Sequence, residues 1–151
     1  MDTLLPSKDG DVLELDELWS FVGAKAHQLW LWVALCRRTR QVVGWTLGDR
    51  RLQGACDLQA SLAADYRRCA TRNDFWDSYA TAFAASTHRC GGKEEGETNH
   101  VERWFGTLRA RTSRLVRRAY SFSKHAENHL DAIHLFVTHY NLALQQKTTV
   151  S

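Results

Sequence analysis

Two apolar segments separated by four polar residues are the feature that most limits how this chain can fold. The first covers Gln28 to Cys36, the second covers Gln41 to Leu47, and Arg37-Arg38-Thr39-Arg40 lies between them. Apolar runs joined by so short a polar gap predict a β-hairpin. A strand that is apolar at every position is typical of a sheet covered on both faces. We therefore expect an α/β protein with helices flanking this sheet.

The segment before the hairpin has the alternation of a half-buried strand. Leu13 and Leu15 fall on one face, and Glu14 and Asp16 fall on the other, which is the period of two of β-structure. This segment is the predicted first strand of the sheet.

Helical spacing recurs after the hairpin. A helix is predicted from its N-cap at Asp49 to Tyr66, and Asp74 is predicted to open an aromatic helix. Between them a strand is expected at Cys69 to Asn73, although this stretch is unusually polar for one. Thr98 to Arg118 is predicted to be helical. A last helix is indicated by apolar residues spaced three and four apart: Leu130, Ile133, Val137, Tyr140 and Leu144.

Length and composition indicate one domain and argue against a membrane protein. With 151 residues, 44% of them hydrophobic, the chain can bury one core, which we assign to residues 11–151 after an N-terminal arm of residues 1–10. The four cysteines lack a C-x-x-C spacing, and the longest apolar run is far below the roughly 20 residues of a membrane span. We expect an intracellular protein with reduced cysteines.

Charge is unevenly distributed along the chain. Five acidic residues and no basic one lie from Asp9 to Glu17, whereas seven basic residues and no acidic one lie from Arg103 to Lys124. This polarity predicts an acidic metal pocket beside a basic DNA-binding track, with Trp104 and Phe105 available to stack or to pack in the core. A solvated helix face is the alternative interpretation. The candidate DNA-binding residues are Arg103, Arg109, Arg111, Arg114, Arg117, Arg118 and Lys124.

Three carboxylates are candidates for a catalytic metal site: Asp16, Asp74 and Glu102. Hard divalent cations prefer anionic oxygens, and displacement at a phosphodiester requires stabilisation of both the attacking and the leaving oxygen. This combination predicts an enzyme that cuts or joins nucleic-acid strands.

Each candidate also has a structural alternative. Asp16 could be a solvent-facing residue on an edge strand, and Asp74 could be a helix N-cap. Glu102 could belong to a capping box with Asn99. Glu14 and Glu17 are rivals of Asp16, and Asp77 is a rival of Asp74.

Several blocks of this sequence resemble the catalytic frame of the insertion-sequence-1 transposase family. The first runs from Leu13-Glu14-Leu15-Asp16-Glu17 into Trp19-Ser20-Phe21-Val22-Gly23 and Lys25. The others are Leu29-Trp30-Leu31-Trp32; Asp74 with Trp76, Ser78 and Tyr79; Val101-Glu102-Arg103; Thr107-Leu108-Arg109 with Arg111; and Phe122-Ser123.

The resemblance implies a ribonuclease-H-like fold, with three antiparallel strands followed by alternating helices and strands and then C-terminal helices. It implies a DDE enzyme in which Asp16, Asp74 and Glu102 hold two magnesium ions, with manganese as a substitute. The implied reaction is metal-dependent cleavage of transposon DNA ends and strand transfer into target DNA.

The resemblance also implies partners and a setting. The partners would be double-stranded DNA, further copies of the chain in a homodimer or higher oligomer, and a DNA-binding part encoded in an upstream frame, as a partner or a fusion. The setting would be the prokaryotic cytoplasm, in association with the nucleoid.

Other functions remain open on the sequence. A ribonuclease-H-like nuclease or resolvase would hydrolyse strands without joining them. A non-catalytic remnant would still bind nucleic acid through its arginines, and an accessory subunit of a transposon would act by self-association.

Overall fold

The computed structural model describes residues 3–21, 28–74, 79, 82–83, 88–91, 98–111 and 126–150. Over these residues the chain is a mixed α/β structure. Its strands are β1 (Val12–Phe21), β2 (Gln28–Cys36), β3 (Val42–Gly48), β4 (Ala70–Asp74) and β5 (His88–Gly91). Its helices are α1 (Leu52–Ser61), a 3-10 turn (Ala64–Tyr66), α2 (Asn99–Arg111) and α3 (Ala126–Val150).

The five described strands form one sheet in the order β3-β2-β1-β4-β5. β1, β2 and β3 pair antiparallel, which confirms the predicted hairpin and the three antiparallel strands. β4 pairs parallel to β1, and β5 pairs parallel to β4. β1 is therefore an interior strand. The alternative that Asp16 is a solvent-facing residue on an edge strand is wrong.

Apolar side chains on both faces of the sheet account for the unbroken hydrophobic character of β2. Trp32 and Ala34 point to the face covered by α1, where Ala55 and Leu58 are buried with them. Leu31, Val33 and Leu35 point to the opposite face, against α2 and α3. The expectation of helices on both sides of the sheet is confirmed.

Helix α1 is shorter than the periodicity predicted. It begins at Leu52 after Arg51, without a side-chain cap, so the prediction of Asp49 as its N-cap is wrong. It ends at Ser61, because the Ala63 amide leaves the helical path and donates to the Val43 carbonyl of β3 at 3.1 Å.

The predicted strand before Asp74 is present, and Asp74 is its last residue. Asp74 therefore ends a strand. The residues directly after it, where the aromatic helix was predicted, lie outside the described part of the chain, so Asp74 as the start or N-cap of that helix stays a prediction. The rival Asp77 lies outside the described residues.

The described part of the N-terminal arm is fastened to the domain. The Leu5 amide donates to the side chain of Gln41 at 2.8 Å, and the Tyr66 hydroxyl donates to the Leu5 carbonyl at 2.7 Å. Gln41 is fully buried and also donates to the carbonyls of Thr3 and Asn141. This network connects the arm, β3 and α3.

In the described ranges, no helix combines the length and the apolar character that crossing a membrane requires. The cysteines whose side chains are described, Cys36, Cys56 and Cys69, are free thiols.

Candidate active site

Asp16 lies in the middle of the interior strand β1 and is half-buried. It is opposite Val33 of β2, and its Oδ1 accepts a hydrogen bond from the Glu17 amide at 2.8 Å. Alternation along β1 places Asp16 on the same face as Glu14 and Leu18, the face that α2 covers. An aspartate is rare in such a position, because a strand interior gives its short charged side chain little to pack against.

The second candidate, Asp74, lies next to Asp16 in the sheet. Parallel pairing of β1 with β4 places Leu15 opposite Asn73, and Asp16 and Asp74 are the next residues of the two strands. Asp74 pairs with Gly91 of β5, on the other side of β4 from β1. Two of the three candidate ligands thus occupy adjacent positions of neighbouring strands, although they are 58 residues apart in the sequence.

The third candidate, Glu102, is exposed in the first turn of α2. This helix packs on the sheet through Val101, Trp104, Phe105 and Leu108, all of which are buried. Trp104 and Phe105 are therefore core residues rather than a surface for stacking on bases. Asn99 is already the first helical residue, so it does not precede the helix as the capping-box alternative required.

Glu14 connects the strand of Asp16 to the helix of Glu102. Its carboxylate is fully buried, and its Oε2 accepts a hydrogen bond from the Val101 amide at 2.8 Å. Its Oε1 lies 2.7 Å from Nδ1 of His100 and accepts from Nε of Arg37 at 2.9 Å. A carboxylate only accepts, so the His100 contact is a hydrogen bond when Nδ1 carries the proton. Glu14 supplies from the sheet a cap for an amide in the first turn of α2.

Glu17 makes the corresponding connections on the other face of β1. Its Oε2 accepts a hydrogen bond from the Tyr79 hydroxyl at 2.6 Å, and its Oε1 is paired with Arg50 at 2.9 Å. Burial raises the pKa of the Tyr79 hydroxyl well above its ordinary value, and the negative charge of Glu17 raises it further. Tyr79 therefore remains a protonated donor to Glu17.

The two rivals of Asp16 are thus bound to neighbouring elements. Glu14 is tied to α2, and Glu17 is tied to Tyr79 and Arg50. Sequence patterns could not separate the three acidic residues, because Glu14 shares a face with Asp16 and Glu17 adjoins it. The roles of His100 and Arg37 as partners of Glu14 had no signal in the sequence, since they lie 86 and 23 residues away from it.

The donors of the candidate set suit a hard divalent cation, because all are carboxylates and Asp16 keeps partial access to solvent. Among the side chains that the structure describes, no three His, Cys, Asp or Glu residues are grouped to hold a metal ion. The side chain of Asp74 is not among them. The structure therefore aligns the backbones of Asp16 and Asp74 and places the helix of Glu102 over the same face of β1.

The basic track is described only in its first part. Arg103 and Arg111 are exposed and Arg109 is half-buried on α2. The other candidates lie outside the described residues: Arg114, Arg117, Arg118 and Lys124.

A small cavity of about 160 Å³ extends this basic surface toward the β2–β3 turn. Arg40 of that turn lines it together with Arg103 and His100 of α2. Arg40 was missed as a candidate, because in the sequence it appears as one residue of a polar hairpin turn.

Comparison with known proteins gives one family. The family model for IS1 transposase matches residues 12–142. The chain is 37% identical over 126 residues to the iso-IS1n protein InsB of Shigella dysenteriae, covering 83% of this chain and 93% of the relative. It is 33% identical over 129 residues to the IS1 protein InsB of Shigella flexneri, covering 84% and 95%. It is also 33% identical over 129 residues to an IS1 protein InsB of Escherichia coli K12, covering 84% of this chain and 75% of the relative.

Proposed function

Because the chain belongs to the IS1 transposase family, we propose that it is the catalytic domain of a DDE transposase with a ribonuclease-H-like fold. It cuts the ends of its transposon DNA and joins them to target DNA, with Asp16, Asp74 and Glu102 as its catalytic residues. The observation that carries this proposal is the pairing of β1 with β4, which brings Asp16 and Asp74 to adjacent positions.

The sheet order and the position of α2 support the same assignment. Three antiparallel strands are followed by two parallel ones, and α2 covers the face of β1 that carries Asp16. Asp16 and the helix that carries Glu102 therefore lie on the same face of the sheet.

Two magnesium ions held by the three carboxylates would activate the attacking oxygen and stabilise the leaving oxygen of an in-line displacement. The protein's own task is to hold the three carboxylates close together. In the first reaction, water attacks a phosphodiester at the transposon end and a 3′-hydroxyl leaves. In the second, that hydroxyl attacks a phosphodiester of the target, so that a bond from the transposon 3′ end to the target phosphate forms and the target's own 3′-hydroxyl leaves.

DNA is held beside this site by the arginines of α2. Arg103 and Arg111 are exposed on the helix that carries Glu102, where guanidinium groups can bind phosphate oxygens. Such contacts position the duplex without reading its sequence. We therefore assign recognition of a particular end sequence to a DNA-binding part encoded in an upstream frame. A dimer or higher oligomer of the chain would bring the two transposon ends together. This assembly would act in the prokaryotic cytoplasm, in association with the nucleoid.

The test is a cleavage and joining assay on a DNA end, with magnesium or manganese, for the wild type and three variants. Asp16→Asn, Asp74→Asn and Glu102→Gln each remove one negative charge and nearly preserve shape. Each is expected to reduce cleavage and joining by about a hundred- to a thousandfold, as loss of a group that stabilises transition-state charge does. Thermal unfolding checks that each variant remains folded.

Asp57→Asn is the matched control, because Asp57 lies on α1 on the opposite side of the sheet from α2. It should keep wild-type activity. A triad variant that keeps full activity would remove its residue from the site. Cleavage without joining of a pre-cut 3′ end would indicate the nuclease or resolvase instead. Salt-dependent DNA binding without any metal-dependent cleavage would indicate the non-catalytic remnant.

A further inference from the structure

We propose that Glu14 is a positioning residue: it fixes the first turn of α2 on β1 and so determines where Glu102 lies relative to Asp16. The proposal rests on the function proposed above, because its catalytic consequence requires Glu102 and Asp16 to act together.

The contacts of Glu14 hold the start of α2 from several directions. One carboxylate oxygen accepts from the Val101 amide, and the other lies within hydrogen-bonding distance of His100 Nδ1 and Arg37 Nε. Glu14 and Val101 are both fully buried. A helix leaves its first amides without intrahelical acceptors, so this carboxylate fills a need of the helix itself.

The position of Glu14 in the chain gives these contacts their consequence. Glu14 is two residues before Asp16 and on the same face of β1, while Val101 directly precedes Glu102. The Glu14 side chain therefore links the backbone next to Glu102 with the strand that carries Asp16. A shift or rotation of the first turn of α2 would move Glu102 with respect to Asp16.

A purely stabilising role explains this arrangement less well. Buried ion pairs contribute little net stability, because desolvation offsets much of the attraction, and apolar replacements of similar volume are often neutral. The carboxylate does what an apolar side chain cannot: it sets the register and direction of the helix start through directional hydrogen bonds.

The experiment compares Glu14→Met with Glu14→Gln. Methionine has similar volume but no comparable acceptor, whereas glutamine keeps one oxygen for the Val101 amide. Two quantities are measured: the hydrogen-exchange protection of the Val101 amide and the manganese concentration for half-maximal DNA cleavage. We expect Glu14→Met to raise the manganese concentration for half-maximal cleavage by at least about tenfold, as mutation of groups that orient metal ligands does. It should also lower the protection of the Val101 amide. Glu14→Gln should bring both quantities most of the way back to their wild-type values.

Asp11→Asn is the matched control. Asp11 is a nearly buried carboxylate just before β1, paired with Arg38 at 2.6 Å, and it makes no described contact with α2. Asp11→Asn should lower the unfolding temperature without changing Val101 protection or the manganese requirement.

Wild-type values of both quantities in folded Glu14→Met would overturn the proposal, as would equal losses in Glu14→Met and Glu14→Gln. If Glu14→Met does not fold, Glu14→Asp replaces it, since its shorter side chain cannot span the same distances. Equal Val101 protection and an equal manganese requirement in Glu14→Asp and wild type would then overturn the proposal. If the wild type shows no metal-dependent cleavage, the proposed function fails, and Val101 protection alone decides whether Glu14 positions α2.

Discussion

Three acidic residues within four positions of β1 lie in three different environments. Glu14 is enclosed under α2, Glu17 is paired on the opposite face, and Asp16 lies between them with partial access to solvent. The carboxylates of Glu14 and Glu17 hold α2, Tyr79 and Arg50 to β1, which gives both residues a role in the fold. Asp16 is the proposed ligand on β1 because the pairing of β1 with β4 places its backbone next to that of Asp74.

At the same scale, the tyrosine that fastens the N-terminal arm gives a prediction for alkaline pH. Burial raises the pKa of Tyr66 to about 12, and its hydroxyl donates to the Leu5 carbonyl. Below pH 10 the hydroxyl is protonated in both the folded and the unfolded chain. Between pH 10 and about 12 it ionises preferentially in the unfolded chain, so the free energy of unfolding should fall as pH rises through this window.

Urea unfolding at pH 8, 10 and 11 measures this effect. Tyr66→Phe should be less stable at pH 8 by about 1 kcal/mol, the contribution of a hydrogen bond, and should lose stability less steeply with pH. The pKa of Tyr79 is also raised, so part of the fall in the free energy of unfolding with pH should remain in Tyr66→Phe. An identical slope in Tyr66→Phe and wild type would contradict the assignment.

Among the elements, those with regular apolar patterns were predictable and those shaped by tertiary contacts were not. The hairpin and β1 follow from periodicity. α1 was predicted too long because Leu62 and Tyr66 remain buried after the helix ends, which continues its apolar pattern through a turn. β4 was hard to recognise because polar Thr71 and Asn73 are buried in it, between β1 and β5.

Two helical glycines test how closely the elements pack. A Cβ on Gly54 of α1 would lie 2.4 Å from the Trp32 ring of β2 and 2.6 Å from the Asp49 carbonyl, whereas a Cβ on Gly106 of α2 meets nothing within 4 Å. Gly106→Ala should therefore raise the free energy of unfolding by about 0.5–1 kcal/mol through helix propensity. Gly54→Ala should lower it by about 1–3 kcal/mol, because overpacking outweighs that gain.

Chemical denaturation of both variants measures these changes in the free energy of unfolding. Stabilisation by Gly54→Ala equal to that of Gly106→Ala would mean that α1 does not lie against Trp32 as closely as described.

For the whole molecule, the sheet separates two kinds of surface. α1 and its apolar cluster occupy one face, and the opposite face carries α2 with Glu102 and the arginines. The sequence could name Asp16, Asp74 and Glu102 as candidate ligands by residue type and by resemblance. It could not show that β4 lies beside β1, or that Glu14 joins β1 to α2, because these contacts link residues 58 and 87 positions apart in the chain.

The most direct test is to locate manganese in crystals of the protein by anomalous X-ray scattering. The account predicts two peaks a few ångströms apart, with carboxylate oxygens of Asp16, Asp74 and Glu102 at roughly 2.0–2.3 Å from them, the range for hard cations with oxygen ligands. Loss of both peaks in Asp16→Asn would support the assignment further. Manganese bound elsewhere, or bound without Asp16, would contradict it.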